Sequence, residues 1–483
     1  MVAADGTAAA IPGPQNPAEL PSKVAVAARD DAKAGRPGTM LGMKSHLRPR
    51  LALIAAAALI ATACGSSTAS PTPSASPTPT VPPASTATAG SSQPGTPGPS
   101  VRPTPNASAD QAIYAQIETQ VQQLRMLTAK SPVAPILLDE QGVRDWMTKA
   151  TATGVDHVAL AAESRLLVHM GLLPTGSSLE QLELDLNAGQ AIGFYYPTTR
   201  QLYLLSTTGA VGPVERLTFS HEFTHALQDQ NFGLDKLAID TADQGDRDLA
   251  RTALPEGDAT LAMLQWAETN MSAVDLLAAS LSAASDPQAN QLANAPAILR
   301  EDLDFPYLDG KTFVEGIYAN GGWPAVDKLY ANPPNSTSQV LHPDLYAKHV
   351  QPVTLTFATA APAALGSGWK LALQDTLGEL QLRVWLEGEH PTDAGKQAAD
   401  AAASMWAGDR VGLWEGPAGA WAVVLRTQWR NATGRADFFT AVNKTLAGIA
   451  SPSVVCGDSV HADIVIGSDE GTATAFASCK QGE

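Results

Sequence analysis

Cysteine is scarce in this chain: three residues in 483, with Cys64 alone near the front and Cys456 and Cys479 close together near the end. The fold must therefore rest on a buried core. A chain of this length with 44% hydrophobic residues has ample material for one, spread over two or three domains. Positive charge is short as well, 31 Lys and Arg against 48 Asp and Glu, for a net charge of -17. No basic stripe exists to meet phosphates, which excludes nucleic acid as a partner. Long hydrophobic runs are missing too. Leu51–Ala63 holds 13 apolar and small residues, short of the ~20 a transmembrane helix needs. No internal repeat is present.

What the front of the chain does contain is an export pattern. A basic stretch, Met43-Lys-Ser-His-Leu-Arg-Pro-Arg50, leads into the apolar run and ends in small residues before Cys64. That order describes a secretory signal, with Met43 or Met40 as the expected start and residues 1–42 as an upstream extension. Ala61-Thr-Ala-Cys64 resembles a bacterial lipobox, in which the cysteine becomes the lipidated first residue of the mature protein. The expected location is therefore the extracytoplasmic side of the cell membrane, held by a lipid anchor. In that oxidising compartment Cys456 and Cys479, the two other cysteines, are expected to pair, at about 3 kcal/mol of stabilisation.

Residues 65–109 are almost entirely Ser, Thr, Pro, Ala and Gly, with one charge (Arg102) and no aromatic. Such a segment cannot bury enough surface to fold, and extended it would span about 140 Å at ~3.1 Å per residue. It reads as a tether.

The chemistry is concentrated in His221-Glu222-Phe223-Thr224-His225, an H-E-x-x-H. Pro213 suits a first helical turn and Gly233 a stop, so the stretch between them is expected to be one helix. Residues four apart share a helix face, so both imidazoles can grip one metal ion. Glu222 lies about 100° round the axis, where its carboxylate can reach a water on that ion. Two nitrogen ligands, an open position and an adjacent base are what a zinc hydrolase needs. Leu217, Phe219, Phe223, Ala226 and Leu227 point to a buried helix, where unpartnered histidines would be costly.

Around this helix the pattern predicts helices from Ser108 to about Lys130, Glu140 to Ala150 and Val155 to Met170, and a short strand over Val133–Leu138. His169 reads as structural. Ala191–Leu205 reads as a hairpin turning at Pro197, whose strand could pair with an extended peptide. Residues 240–248 read as a loop and Leu249–Trp266 as a helix that Pro255 kinks or starts. A helix over 310–330 and a Pro-rich loop over 332–343 follow. From about 354 a second portion begins: a helix over Trp369–Leu386, a hairpin over Arg410–Trp429, a helix over Gly434–Ile449, and two terminal strands carrying Cys456 and Cys479. The fold class is thus α+β: a mainly helical zincin-like domain with a β-hairpin over 110–353, and a small α+β domain over 354–483.

His-Glu-Phe-Thr-His-Ala-Leu-Gln-Asp-Gln (221–230) followed by Glu-Gly-Asp-Ala (256–259) resembles the gluzincin-type metallopeptidases of bacteria. The likeness takes in Gly193-Phe-Tyr-Tyr-Pro197, Phe305-Pro-Tyr through Gly321-Gly-Trp323, and Pro333-Pro-Asn through His342-Pro343. It covers about residues 110–350, and less distinctively 404–430. The resemblance implies that a glutamate on the next helix completes the zinc site. Glu256 is expected in preference to Asp258, because it shares an apolar stripe with Ala253, Thr260 and Met263. It also implies an oxyanion-stabilising residue downstream, with His342 expected and Tyr318 and Tyr307 open. The implied activity is zinc-dependent endopeptidase action on a polypeptide. A zinc-binding envelope lipoprotein without catalysis is the alternative, and the intact Glu222 weighs against it.

Overall fold

The computed structural model describes residues 107–478, apart from 155, 191, 207–210, 240, 286–290 and 358–360. Cys64, the signal, most of the tether and Cys479 lie outside the described residues. The protein is α+β, with a three-stranded and a five-stranded sheet among many helices.

The first portion runs α1 (Ala107–Arg125), β1 (Pro135–Leu138), α2 (Glu140–Gly154), α3 (His157–His169), α4 (Leu179–Gln190), β2 (Gly193–Tyr196), β3 (Gln201–Leu205) and α5 (Pro213–Phe232). Then come α6 (Gly245–Asn270), α7 (Ala273–Ser285), α8 (Ala297–Gly321), α9 (Trp323–Leu329), and the single turns α10 (Thr337–Leu341) and α11 (Pro343–Ala347). The remainder is β4 (Lys370–Asp375), α12 (Gly378–Glu387), α13 (Asp393–Ala403), β5 (Trp406–Glu415), β6 (Trp421–Trp429), α14 (Ala432–Leu446), β7 (Ser453–Cys456), β8 (His461–Gly467) and α15 (Glu470–Phe476).

The small sheet has the order β1-β3-β2, with β1 parallel and β2 antiparallel to β3. Strand alternation splits its side chains between two helices. Tyr195, Leu202 and Leu204 pack with Phe219, Phe223 and Leu227 of α5, while Phe194 and Tyr203 pack with Met147 and Trp146 of α2. α5 is therefore buried along most of its length, from Leu217 to Asp229.

The five-stranded sheet is antiparallel in the order β4-β5-β6-β8-β7. One face, with Leu413, Leu425 and Ile464, shares a core with Leu166 and Leu167 of α3 and Ile298 of α8. The portions before and after residue 354 thus share one core. His169 belongs to that contact: its half-buried ring stacks on Trp421 at 3.5 Å, and burial lowers its pKa to about 4, which keeps it neutral.

Several elements differ from the sequence pattern. α6 begins at Gly245, inside the expected loop, because Asp246 and Asp248 suit a first helical turn and Asp246 accepts from the Thr337 amide at 2.9 Å. Pro255 sits within α6 without ending it, since packing on nearly every side outweighs one lost backbone bond. The expected helix over 369–386 is strand β4 followed by α12, because Lys370–Asp375 finds a partner in β5. The break falls at Gly378, whose φ is 75° and where an added Cβ would lie 1.8 Å from Asp246 Oδ1, leaving no room for a side chain. Gly322 (φ 62°) splits the helix expected over 310–330 into α8 and α9. Cys456 ends β7 and is disulfide-bonded. The second terminal strand ends at Gly467, with α15 between it and residue 479.

α6 and α8 run against each other at a glycine pair. A Cβ on Gly257 would lie 2.3 Å from the Gly310 backbone, and one on Gly310 would lie 2.4 Å from the Ala253 carbonyl oxygen. Gly257 thus brings α6 close to α8. Alanine is the better helix former by about 1 kcal/mol, but overpacking costs roughly 1–3 kcal/mol. Gly257→Ala is therefore expected to destabilise the protein despite its propensity gain. Its midpoint in chemical denaturation should fall; a rise would mean that the two helices are not in contact there.

Candidate metal centre

α5 brings His221 and His225 to one face, one turn apart, with their Nε2 atoms 3.0 Å apart. α6 lies across them and presents Glu256, whose Oε2 is 3.3 Å from His221 Nε2 and 3.2 Å from His225 Nε2. Tetrahedral bonds of about 2.0–2.1 Å place two ligand atoms roughly 3.3 Å apart, so the three atoms have the spacing of a shared ion. All three residues are buried, and among the described residues they are the one group of this kind. A metal ion could be held here.

The electrostatics suit a cation. Burial pushes His221 down to about 4, which keeps its imidazole neutral. Burial opposes charge on Glu256 also, but the two histidines outweigh it and hold the carboxyl at about 2. For His225 burial again lowers and Glu256 raises, and the carboxylate wins, at about 9. The carboxylate thus favours positive charge between the ligand atoms, as a bound dication would supply it.

Glu222 is not a ligand. It is fully buried, and neither carboxylate oxygen has a hydrogen-bond partner of normal geometry among the described residues. Burial first, then the charge of Glu256, raises it to about 8 against the pull of His225. A carboxylate left in that state is poised to take a proton.

The hairpin borders the same place. β2 is an edge strand, and Leu205 N–H donates to the Ile192 carbonyl at 2.7 Å. Backbone groups alternate along an antiparallel strand, so Gly193 and Tyr195 turn theirs to the free edge. There Gly193 lies against Thr218, where a Cβ would come within 2.6 Å of the threonine methyl, and the Tyr195 amide faces Glu222. The Tyr195 hydroxyl donates to Asp229 of α5 at 3.0 Å, and the other Asp229 oxygen accepts from Leu234 N–H just past the helix end.

Asp258, two residues beyond Glu256, faces away. It receives a forked bond from Arg125 at 2.7 and 2.9 Å and a hydrogen bond from the Tyr330 hydroxyl at 2.7 Å. Arg125 also pairs with Asp327 and lies over the Trp323 ring. Of the three oxyanion candidates, the structure brings Tyr307 to the site. It stands one turn before Gly310 on α8, beside Glu256, with its ring centre 6.3 Å from that of His221. His342, the residue expected for that role, is engaged elsewhere: its Nε2 lies 2.6 Å from Glu379 of α12, and none of its described contacts is with the triad. Tyr318 packs on Trp323. Sequence spacing has no way to choose among the three, because the choice depends on how α8 crosses α6.

Fold and site together define an α+β protein with a buried His-His-Glu cluster able to hold a metal ion. A family model described as a domain of unknown function (DUF8575) matches residues 370–483, under a quarter of the chain and apart from this cluster. No curated protein matches the chain. Among solved structures, one from Chloroflexus aurantiacus, described as "a putative hydrolase with a novel fold", is similar over 51% of this chain and 92% of that one. The identity is 16% and the TM-score 0.32, so the likeness carries nothing to the site.

Proposed function

We propose that the protein is a zinc-dependent endopeptidase, with zinc held by His221, His225 and Glu256. The observation that carries this reading is Glu222, a buried carboxylate with no hydrogen-bond partner of normal geometry among the described residues, beside a three-ligand set. A purely structural zinc site would have a fourth protein ligand and no use for an unpaired acid. A zinc ion bound there supplies Lewis acidity toward a water and a peptide carbonyl. Glu222 takes the proton of the attacking water and passes it to the departing amine nitrogen. Tyr307, beside Glu256, is the hydroxyl placed to follow charge as it develops on the carbonyl oxygen. An extended polypeptide pairing along β2, an edge strand beside the centre, completes this reading.

The purified protein loaded with zinc is expected to cleave unfolded casein, to stop when a chelator removes the metal, and to resume when zinc is returned. Cleavage that survives complete metal removal would refute the reading.

On the export pattern of the sequence, we propose further that this activity lies outside the cytoplasm, on a lipid anchor at Cys64. Mass spectrometry of the mature N-terminus should find a lipid-modified Cys64. An unmodified cysteine, or retention of Leu51–Ala63, would overturn the anchor without touching the chemistry.

A further inference from the structure

One side chain joins the two helices that carry the ligands. Gln228 stands three residues past His225 on α5, on the same face, and is fully buried. Its Nε2 donates to the Pro255 carbonyl at 3.0 Å, and its Oε1 lies 2.9 Å from His225 Nδ1. These two contacts orient the amide without ambiguity. A carbonyl can only accept, so the nitrogen of Gln228 must face Pro255 and the oxygen must face the histidine. An oxygen facing Nδ1 requires the hydrogen to be on Nδ1. The lone pair of neutral His225 is then on Nε2, the atom that faces His221 and Glu256.

The other end of the bridge matters equally. Pro255 immediately precedes Glu256 and, lacking an N–H, withdraws one backbone bond from α6 at that point. The Gln228 amide ties α6 to α5 there. His221, by contrast, has no described partner on its Nδ1, so Gln228 is the one side chain among the described residues that sets a ligand histidine's tautomer. Being neutral, it does so without adding a charge to a centre that already buries Glu222 and Glu256.

We propose that Gln228 is a positioning residue of the metal centre: its carbonyl holds His225 with Nε2 free for the ion, and its amide nitrogen fixes α6 at Pro255 so that Glu256 meets both histidines. The inference rests on the metal reading of the cluster. Gln228→Met keeps the length and removes both bonds. Gln228→Glu keeps an acceptor toward His225 and loses the donor toward Pro255.

The test uses the full chain, with zinc affinity measured by competition against a chromophoric chelator, the visible spectrum of the cobalt-loaded protein, and the thermal midpoint of the metal-free protein. Loss of an outer hydrogen bond to a ligand typically weakens metal binding roughly 10–100-fold. Gln228→Met is expected to show that loss with a changed cobalt spectrum, and Gln228→Glu to bind more tightly than Gln228→Met. A Met variant that binds zinc as tightly as the wild type, with an unchanged cobalt spectrum, overturns the proposal. So does a Glu variant that binds no better than the Met variant. Should the Met variant fail to fold, the Glu variant decides alone: binding weaker than wild type, but by less than that 10–100-fold, supports the role, wild-type binding overturns the tie at Pro255, and a loss of the full size overturns the hold on His225. A wild type that binds neither metal sinks the metal centre itself, an outcome distinct from the failure of Gln228 alone.

Discussion

Glu222→Gln is expected to leave zinc bound and to remove hydrolysis. The amide has nearly the shape of the carboxylate but cannot accept the proton of the attacking water. Because Glu222 is neither a ligand nor a partner in any described hydrogen bond of normal geometry, the replacement should not disturb the fold. General base catalysis is worth on the order of 10²–10⁴ in rate, so turnover should fall by at least that much at unchanged metal content. The carboxyl is held at about 8 by burial, and a dication beside it would lower that value toward neutrality, where a base is most effective. Zinc analysis alongside a peptide-hydrolysis assay checks both halves. Near-normal turnover at full zinc occupancy would reject the mechanism.

The two acids of Glu256-Gly-Asp258 should respond in opposite ways. Two residues apart on a helix is about 200°, so one carboxylate at most can face the histidines. Glu256→Ala leaves two protein ligands and is expected to lose most of its zinc, while removing the negative charge that steadies His225. Asp258→Ala should retain zinc and lose stability. It would strip Arg125, which is fully buried, of its forked partner and leave it with Asp327, and breaking such a pair costs roughly 3–5 kcal/mol. Zinc stoichiometry of the folded variants and their denaturation midpoints separate the two effects. The reverse pattern, zinc lost with Asp258 and kept with Glu256, would make Asp258 the ligand.

How much of the centre is legible in the sequence depends on how local each relation is. His221, Glu222 and His225 lie within five residues, and helical geometry alone sets their faces. Glu256 is farther away, yet its place on the apolar stripe of its own helix, with Asp258 on the opposite side, is again a local relation. Gln228 lies three residues past His225, but its task appears only once Pro255 of another helix stands opposite it. Tyr307 and His342 were indistinguishable by spacing. Their separation depends on the crossing of α6 and α8 at Gly257 and Gly310, and on the capture of His342 by Glu379.

The elements divide along the same line. From the sequence alone came the helix bounded by Pro213 and Gly233, the hairpin within 191–205, the hairpin within 410–429 and the α+β class, because capping residues, turn residues and hydrophobic period act over a few neighbouring positions. Tertiary structure decided that Pro255 would be carried inside a helix and that Lys370–Asp375 would be a strand. It also decided that Gly257 would face α8, and that a glutamine and a tyrosine from different helices would close round the histidines and Glu256. Those outcomes depend on partners tens to hundreds of residues away, whose packing contributes more than any local preference and leaves no periodic mark in the chain.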